Sequence, residues 1–96
     1  MINKQRLRRL LAPKSIAVFG SRGADFAIRE SLAMGFEGPI WSVHPQREQL
    51  MGIKCLQSVT DLPQAPDAAY VAVNAESAIT TVAQLNEMGA GGALLY

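Results

Sequence analysis

Short runs of apolar residues recur along the chain, and most end in a glycine, a proline or a polar residue. Continuous apolar runs of this length are typical of parallel strands that are covered on both faces. They predict four strands, at 15–20, 40–43, 68–73 and 93–96. Two stretches between them, 23–35 and 75–88, carry apolar residues at helical spacing. This alternation predicts an α/β fold, a Rossmann-like doubly wound parallel sheet with helices on both faces.

Four smaller elements are also predicted: a helix at 7–11, a helical turn at 46–50, an edge strand at 53–55 and a turn at 59–62. By analogy with dinucleotide-binding folds, we expect the four main strands in the order 3-2-1-4. The fourth strand would then lie near the centre, and its loop would help to form a site. The sheet is truncated after this strand, so we expect residues 1–96 to be a single domain at the N-terminus of a larger protein.

The composition fits one small globular domain, since 49% of the 96 residues are hydrophobic and 18% are charged. The net charge is only +1, so the domain as a whole does not attract nucleic acid strongly, and we expect no nucleic-acid partner. The N-terminal segment is locally basic, with Lys4, Arg6, Arg8, Arg9 and Lys14. We interpret it as an amphipathic helix with a solvated basic face. The alternative is a basic arm that contacts anionic ligands or nucleic acid.

Cys55 is the single cysteine, so no disulfide can form within the chain, and this fits a reducing cytoplasm. It has no CxxC partner and no histidine close by in sequence, which favours a structural thiol over a nucleophile. No apolar run reaches the roughly 20 residues that cross a bilayer. We therefore expect a cytoplasmic protein without a membrane partner.

The first strand leads into a glycine turn, Gly20-Ser21-Arg22-Gly23, at the start of a helix. Main-chain N–H groups converge at such a point, and the helix dipole adds positive charge, so the turn can bind a phosphate. The second and third strands also end in polar loops. Ligands of open α/β sheets bind at this carboxyl edge.

The residues that follow the second strand distinguish an NAD site from an NADP site. An NAD site wants an acidic residue there, but the sequence reads Val43-His44-Pro45. An NADP-binding domain of an oxidoreductase stays open as an alternative, because Arg47 lies close by and arginine suits a 2′-phosphate. The phosphate-binding loop of ATPases is absent.

Four motifs in order resemble the CoA-binding domain of NDP-forming acyl-CoA synthetases. They are PKSIAVFGS at 13–21, GFEGPIWSVHP at 35–45, GIK with SVTDLP at 52–63, and DAAYVAV at 67–73 followed by Gly89, Gly91 and Gly92. The succinyl-CoA synthetase α subunit is a more distant relative. The resemblance implies that coenzyme A or acyl-CoA is the ligand, and that the partners are the remaining domains or subunit of an acyl-CoA synthetase.

The resemblance also implies a set of CoA-binding residues: Gly20, Ser21, Arg22 and Gly23 in the first loop, Val43, His44, Pro45 and Arg47 in the second, and Val73, Asn74 and Ala75 in the third. The parent enzyme would be an ADP-forming acid–CoA ligase. Its phosphohistidine and ATP-grasp parts are absent here, so this segment would not be catalytic alone and has no catalytic or metal-binding residue to name. The alternative from the same resemblance is a stand-alone or regulatory CoA-binding module, for example of a protein acetyltransferase.

Two expectations concern single residues. His44, the only histidine, is interpreted as part of the ligand wall rather than as a group for acid–base or phosphohistidine chemistry. It could donate to a phosphate, stack on the adenine or simply end the strand. At Gly20 and Gly23 we expect a side chain to crowd the phosphates or to demand a backbone angle that only glycine reaches cheaply. Gly20→Val should abolish CoA binding while the fold survives.

Overall fold

The computed structural model describes residues 4–20 and 22–95, with Arg22 described by its backbone alone. The helices are α1 (Lys4–Leu11), α2 (Arg22–Ala33) and α3 (Ala75–Met88). The strands are β1 (Ile16–Gly20), β2 (Ile40–Val43), β3 (Gln49–Leu50), β4 (Ile53–Leu56), β5 (Ala68–Ala72) and β6 (Ala93–Leu95), and a 3₁₀ turn spans Val59–Asp61. The predicted main strands and the two long helices are all present. The last residue of the predicted fourth strand, Tyr96, lies outside the described residues.

The strands form one sheet in the order β3-β4-β2-β1-β5-β6. Every pairing is parallel except that of β3 with β4. Two separate cores cover the sheet: Phe19, Val59 and Leu85 belong to the one under α3, and Val18 and Ile28 to the one under α2. The prediction of a Rossmann-like parallel sheet with helices on both faces is therefore confirmed.

The predicted strand order 3-2-1-4 is wrong for the four main strands. The strand predicted as third, β5, pairs with β1 and not with β2, so the main strands run 2-1-3-4. The short strand β4 pairs with β2 on the side away from β1. The next strand, β5, therefore pairs with the free side of β1. In the described sheet β6 is the last strand, beside β5, and the predicted order also puts it last, so its expected place near the centre of a larger sheet stays a prediction. Its residues Leu94 and Leu95 are exposed there.

The segment 46–50 is not the predicted helical turn. It ends in β3, which forms an antiparallel hairpin with β4 through Met51 and Gly52. Both turn residues have a positive φ, 52° for Met51 and 80° for Gly52. The two-residue turns whose twist matches that of the strands require a positive φ at both positions. Leu50 is buried by the hairpin under α2.

Helix α1 is fastened to the amino end of the sheet. The Arg9 Nε atom donates to Asp67 Oδ1 at 2.6 Å, and its Nη1 atom donates to the Gly89 carbonyl at the C-terminus of α3 at 2.8 Å. Arg6 donates to Asn86 in the same region. The sequence predicted a solvated basic face for α1. The structure corrects this, because part of that face is hydrogen-bonded to the rest of the domain.

The same network changes the acidity of Asp67. Burial raises the pKa of its carboxyl, but the hydrogen bond from Arg9, a second one from the Lys14 main chain, and the charges of both residues outweigh burial and lower it below 3.8. The carboxylate therefore favours the folded state at neutral pH.

Cys55 is a free, buried cysteine whose Sγ atom lies 3.4 Å from the Ser42 hydroxyl, as expected of a structural thiol. None of the described helices is long and apolar enough to cross a membrane.

Candidate functional site

A cleft of about 520 Å³ opens where β1, β2 and β5 end at the carboxyl edge of the sheet. Its walls include six of the eleven residues predicted for the site: Gly20, Val43, His44, Pro45, Val73 and Asn74. The first two belong to strand ends, and the others to the loops that follow β2 and β5. Parallel strands bring these loops together because their carboxyl ends share one edge.

Three of the other predicted residues, Gly23, Arg47 and Ala75, are not among the described residues that line the cleft. Arg47 lines an adjoining groove of about 800 Å³, which shares Pro45, Gln46 and Gln57 with the cleft. Gly23 and the backbone of Arg22 form the first turn of α2, and Ala75 begins α3. Ser21 and the side chain of Arg22 lie outside the described residues.

Gly20 is required by the sheet itself. Its φ is +114°, and a Cβ atom placed on it would lie 2.3 Å from the main-chain oxygen of Ala72. Real Cβ atoms essentially never come within 3.0 Å of another heavy atom. The expectation that the fold tolerates a larger residue at Gly20 is therefore wrong, because β1 and β5 would have to separate.

His44 closes the turn that follows β2. Its own N–H donates to the Leu56 carbonyl at 2.8 Å, which extends the pairing of β2 with β4. Its Nδ1 atom accepts hydrogen bonds from the main-chain N–H groups of Gln46 at 3.0 Å and Arg47 at 3.1 Å. His44 thus forms part of the cleft wall and also holds the adjacent loop.

Asn74 caps the N-terminus of α3. Its backbone is extended, with φ −63° and ψ 161°, and its side-chain oxygen accepts from the Ser77 N–H at 2.8 Å. This is the usual role of asparagine at a helix start. The cap fixes the direction in which α3 leaves the sheet edge, and hence the position of the cleft wall that α3 supplies.

One part of the cleft lining was not predicted from the sequence. It is the polar stripe of α3, which consists of Ser77, Thr81 and Gln84. Within the described part of the chain these side chains have no hydrogen-bond partner, and the Thr81 hydroxyl does not bond back to its own helix. The three positions follow Asn74 at intervals of three or four residues, which puts them on one side of a helix. That spacing was visible in the sequence, but only the packing of α3 shows that the stripe faces a cleft.

The cleft is also lined by apolar residues, namely Phe19, Val43, Val59 and Val73. The adjoining groove is charged and contains both signs, since Arg47 and Lys54 lie with Glu48 and Asp61. No group of three or more histidine, cysteine or acidic side chains among the described residues is arranged to hold a metal ion. The described residues of the cleft carry hydrogen-bonding and apolar side chains, and those of the groove carry charges of both signs.

Comparison with known protein families gives a match over residues 14–96 to the CoA binding domain family. The chain belongs to this family. The resemblance predicted from the motifs is thereby confirmed, and coenzyme A is the ligand of the family to which the domain belongs.

Two whole-protein relatives support the assignment. The CoA-binding domain is 35% identical over 99 residues to a trans-feruloyl-CoA synthase of an unknown prokaryotic organism. It is 34% identical over 94 residues to acetate–CoA ligase (ADP-forming) II of Archaeoglobus fulgidus. These alignments cover 98% and 93% of the chain, but the chain spans only 14% of the length of either relative.

A solved structure agrees with the sequence matches. The CoA-binding domain superposes on the dinucleotide-forming acetyl-coenzyme A synthetase 1 of Ca. Korarchaeum cryptofilum with a TM-score of 0.76 and 30% identity. The superposition covers 88% of this chain and 19% of the synthetase. The domain is thus homologous in sequence and fold to part of an acyl-CoA synthetase.

Proposed function

We propose that this domain holds coenzyme A for a larger ADP-forming acid–CoA ligase, in which it is the N-terminal domain. The observation that carries the proposal is the cleft at the carboxyl edge, whose walls come from the ends of β1 and β2, the loops after β2 and β5, and helix α3. The chain spans a small fraction of its ligase relatives, so the chemical step would belong to other parts of the protein. The proposed location is the cytoplasm, which fits the free thiol of Cys55.

The residues present fit coenzyme A in size and chemistry. The cleft volume lies within the usual range for small-ligand sites, about 300–1,000 Å³. The lining includes apolar side chains as well as hydroxyl and amide groups, which suits a ligand that carries both a base and an amide-bearing chain. The first turns of α2 and α3 start at the same edge, where main-chain N–H groups favour phosphate.

Arg47 is the proposed contact for the 3′-phosphate. It lies in the groove that joins the cleft, and Lys54 lines the same groove. A guanidinium group can donate two parallel hydrogen bonds to a phosphate. The 3′-phosphate is attached to the adenosine part of coenzyme A, so this contact would direct the adenine toward the cleft and its polar stripe on α3.

Titration calorimetry tests the ligand and the arginine together. We expect the chain to bind CoA more tightly than NAD, because no acidic residue follows β2 to hold a ribose diol. We expect it to bind CoA more tightly than NADP as well, because the chain belongs to a CoA-binding family. Arg47→Ala should weaken CoA binding roughly tenfold to a hundredfold, the worth of a hydrogen bond to a charged group. It should leave dephospho-CoA, which lacks the 3′-phosphate, nearly unchanged.

Arg29→Ala is the matched control, since Arg29 is an exposed arginine of α2 that lines neither the cleft nor the groove. It should leave the binding of both ligands unchanged. Tighter binding of NADP than of CoA would contradict the proposed function. If Arg47→Ala lost the same affinity for CoA and for dephospho-CoA, Arg47 would be assigned to the diphosphate instead of the 3′-phosphate.

A further inference from the structure

The turn after β2 is organised around one imidazole ring. Two successive main-chain N–H groups, of Gln46 and Arg47, converge on the Nδ1 atom of His44 at 3.0 and 3.1 Å. The preceding residue, Pro45, has no N–H to contribute. The ring is half-buried, and the main chain of His44 is tied to Leu56 of β4. The loop from Pro45 to Arg47 is therefore fixed at one end by strand pairing and at the other by a side chain.

This arrangement determines the chemical form of the ring. A main-chain N–H can only donate, so Nδ1 must present a lone pair, and the neutral ring must carry its proton on Nε2. In this state Nδ1 is occupied by the loop and is not available to a phosphate. A phosphate contact through Nδ1 would require the turn to open and Nδ1 to carry a proton, because a phosphate oxygen accepts hydrogen bonds.

The same loop separates the two parts of the site. Pro45 and Gln46 line both the cleft and the groove, whereas Arg47, the next residue, lines the groove alone. Arg47 is exposed, and its main-chain N–H donates to His44. The conformation of this turn thus fixes the position of the Arg47 main chain, from which the side chain with the guanidinium group extends.

We propose that His44 is a positioning residue, whose Nδ1 atom holds the turn so that Arg47 faces the groove beside the cleft. The inference rests on the proposed function, because it assigns His44 an effect on coenzyme A that acts through Arg47. It departs from the simpler role of a wall residue, in which the ring would act by touching the ligand.

Two substitutions separate these roles. Asparagine carries a side-chain oxygen that accepts from main-chain N–H groups in the next residues, as in Asx turns, so His44→Asn keeps an acceptor without the ring. Leucine has an apolar side chain with no acceptor, so His44→Leu removes both hydrogen bonds. We expect His44→Leu to weaken CoA binding about tenfold, as expected for the loss of one or two hydrogen bonds, and His44→Asn to stay within about threefold of the unchanged chain.

The dependence on Arg47 is tested in the same titrations. Dephospho-CoA should bind the unchanged chain and His44→Leu with nearly equal affinity, because it lacks the phosphate that Arg47 contacts. In an Arg47→Ala background, His44→Leu should cause no further loss for CoA, since the two changes remove the same interaction. Equal weakening by His44→Leu and His44→Asn would overturn the inference, because the ring itself would then contact the ligand.

A measurement on the unchanged chain keeps the inference testable if His44→Leu does not fold. Nuclear magnetic resonance of the imidazole nitrogens should show the proton on Nε2, and the Gln46 and Arg47 amides should exchange more slowly than that of Glu48. A proton on Nδ1, or fast exchange of both amides, would overturn the inference whatever the ligand. Failure of the unchanged chain to bind CoA would instead overturn the proposed function, and with it this effect of His44.

Discussion

Gly20→Ala should destabilise the fold far more than a glycine substitution at a comparable backbone angle elsewhere. Gly20 ends β1 with φ +114°, beside the main chain of β5. The added Cβ atom would lie 2.3 Å from the Ala72 oxygen, and ordinary van der Waals contact begins near 3.4 Å. The two central strands of the sheet would have to move apart by more than an ångström, at the point where their pairing ends.

The magnitude has two parts, and Gly35→Ala separates them. A positive φ costs an ordinary residue about 1–2 kcal/mol. Overpacking against atoms that cannot easily move costs about 1–3 kcal/mol more. Gly35 has φ +83°, but a Cβ atom there would meet nothing within 4 Å, so Gly35→Ala should show the first cost alone. Gly20→Ala should show both, roughly 2–5 kcal/mol in all.

Thermal and urea unfolding, followed by circular dichroism, measure the difference between the two variants. For a domain of this size 1 kcal/mol shifts the melting temperature by about 4–8 °C, so Gly20→Ala should melt roughly 5–20 °C below Gly35→Ala. Equal melting temperatures would refute the argument, because the close approach of β1 to β5 would then impose no cost. Loss of CoA binding in Gly20→Ala can be assigned to the phosphate turn only where the variant is still folded.

Two further predictions concern stability in acid and the polar stripe. The pKa of Asp67 is lowered in the folded state, so its contribution is complete above about pH 4 to 5 and is lost as the pH falls through that lowered value. Asp67→Asn should therefore lower the free energy of unfolding at pH 7 by about 1–2 kcal/mol, and by less as the pH falls through the lowered pKa of Asp67. Equal urea midpoints at pH 7 would contradict this. Thr81→Val keeps the side-chain shape but removes a hydroxyl from the cleft, and should weaken CoA binding about threefold to tenfold. Thr80→Val, on an exposed position of the same helix that does not line the cleft, should leave CoA binding unchanged, and equal effects of the two variants would exclude a ligand contact for Thr81.

The elements with strong periodicity were predictable because their signals are local. The continuous apolar run of β1 predicted a parallel strand covered on both faces, and the structure buries its residues Ala17 and Val18 completely. Helix α3 begins and ends where the sequence predicted, since Asn74 supplies a cap and Gly89 the left-handed residue after the last turn. The hairpin of β3 was missed because its turn residues, Met51 and Gly52, are not among the common pairs for such turns.

By itself, the sequence determined the fold class, the family and the residues at the three strand ends, because each depends on residues that are neighbours in the chain. The place of β5 and the wall that α3 supplies were decided only by the tertiary structure. Strand order depends on which edges pair across long connections, and the short strand β4 changed that outcome. The direction in which Ser77, Thr81 and Gln84 face depends on how α3 packs on the sheet, and no local pattern distinguishes a polar stripe beside a cleft from one exposed to solvent.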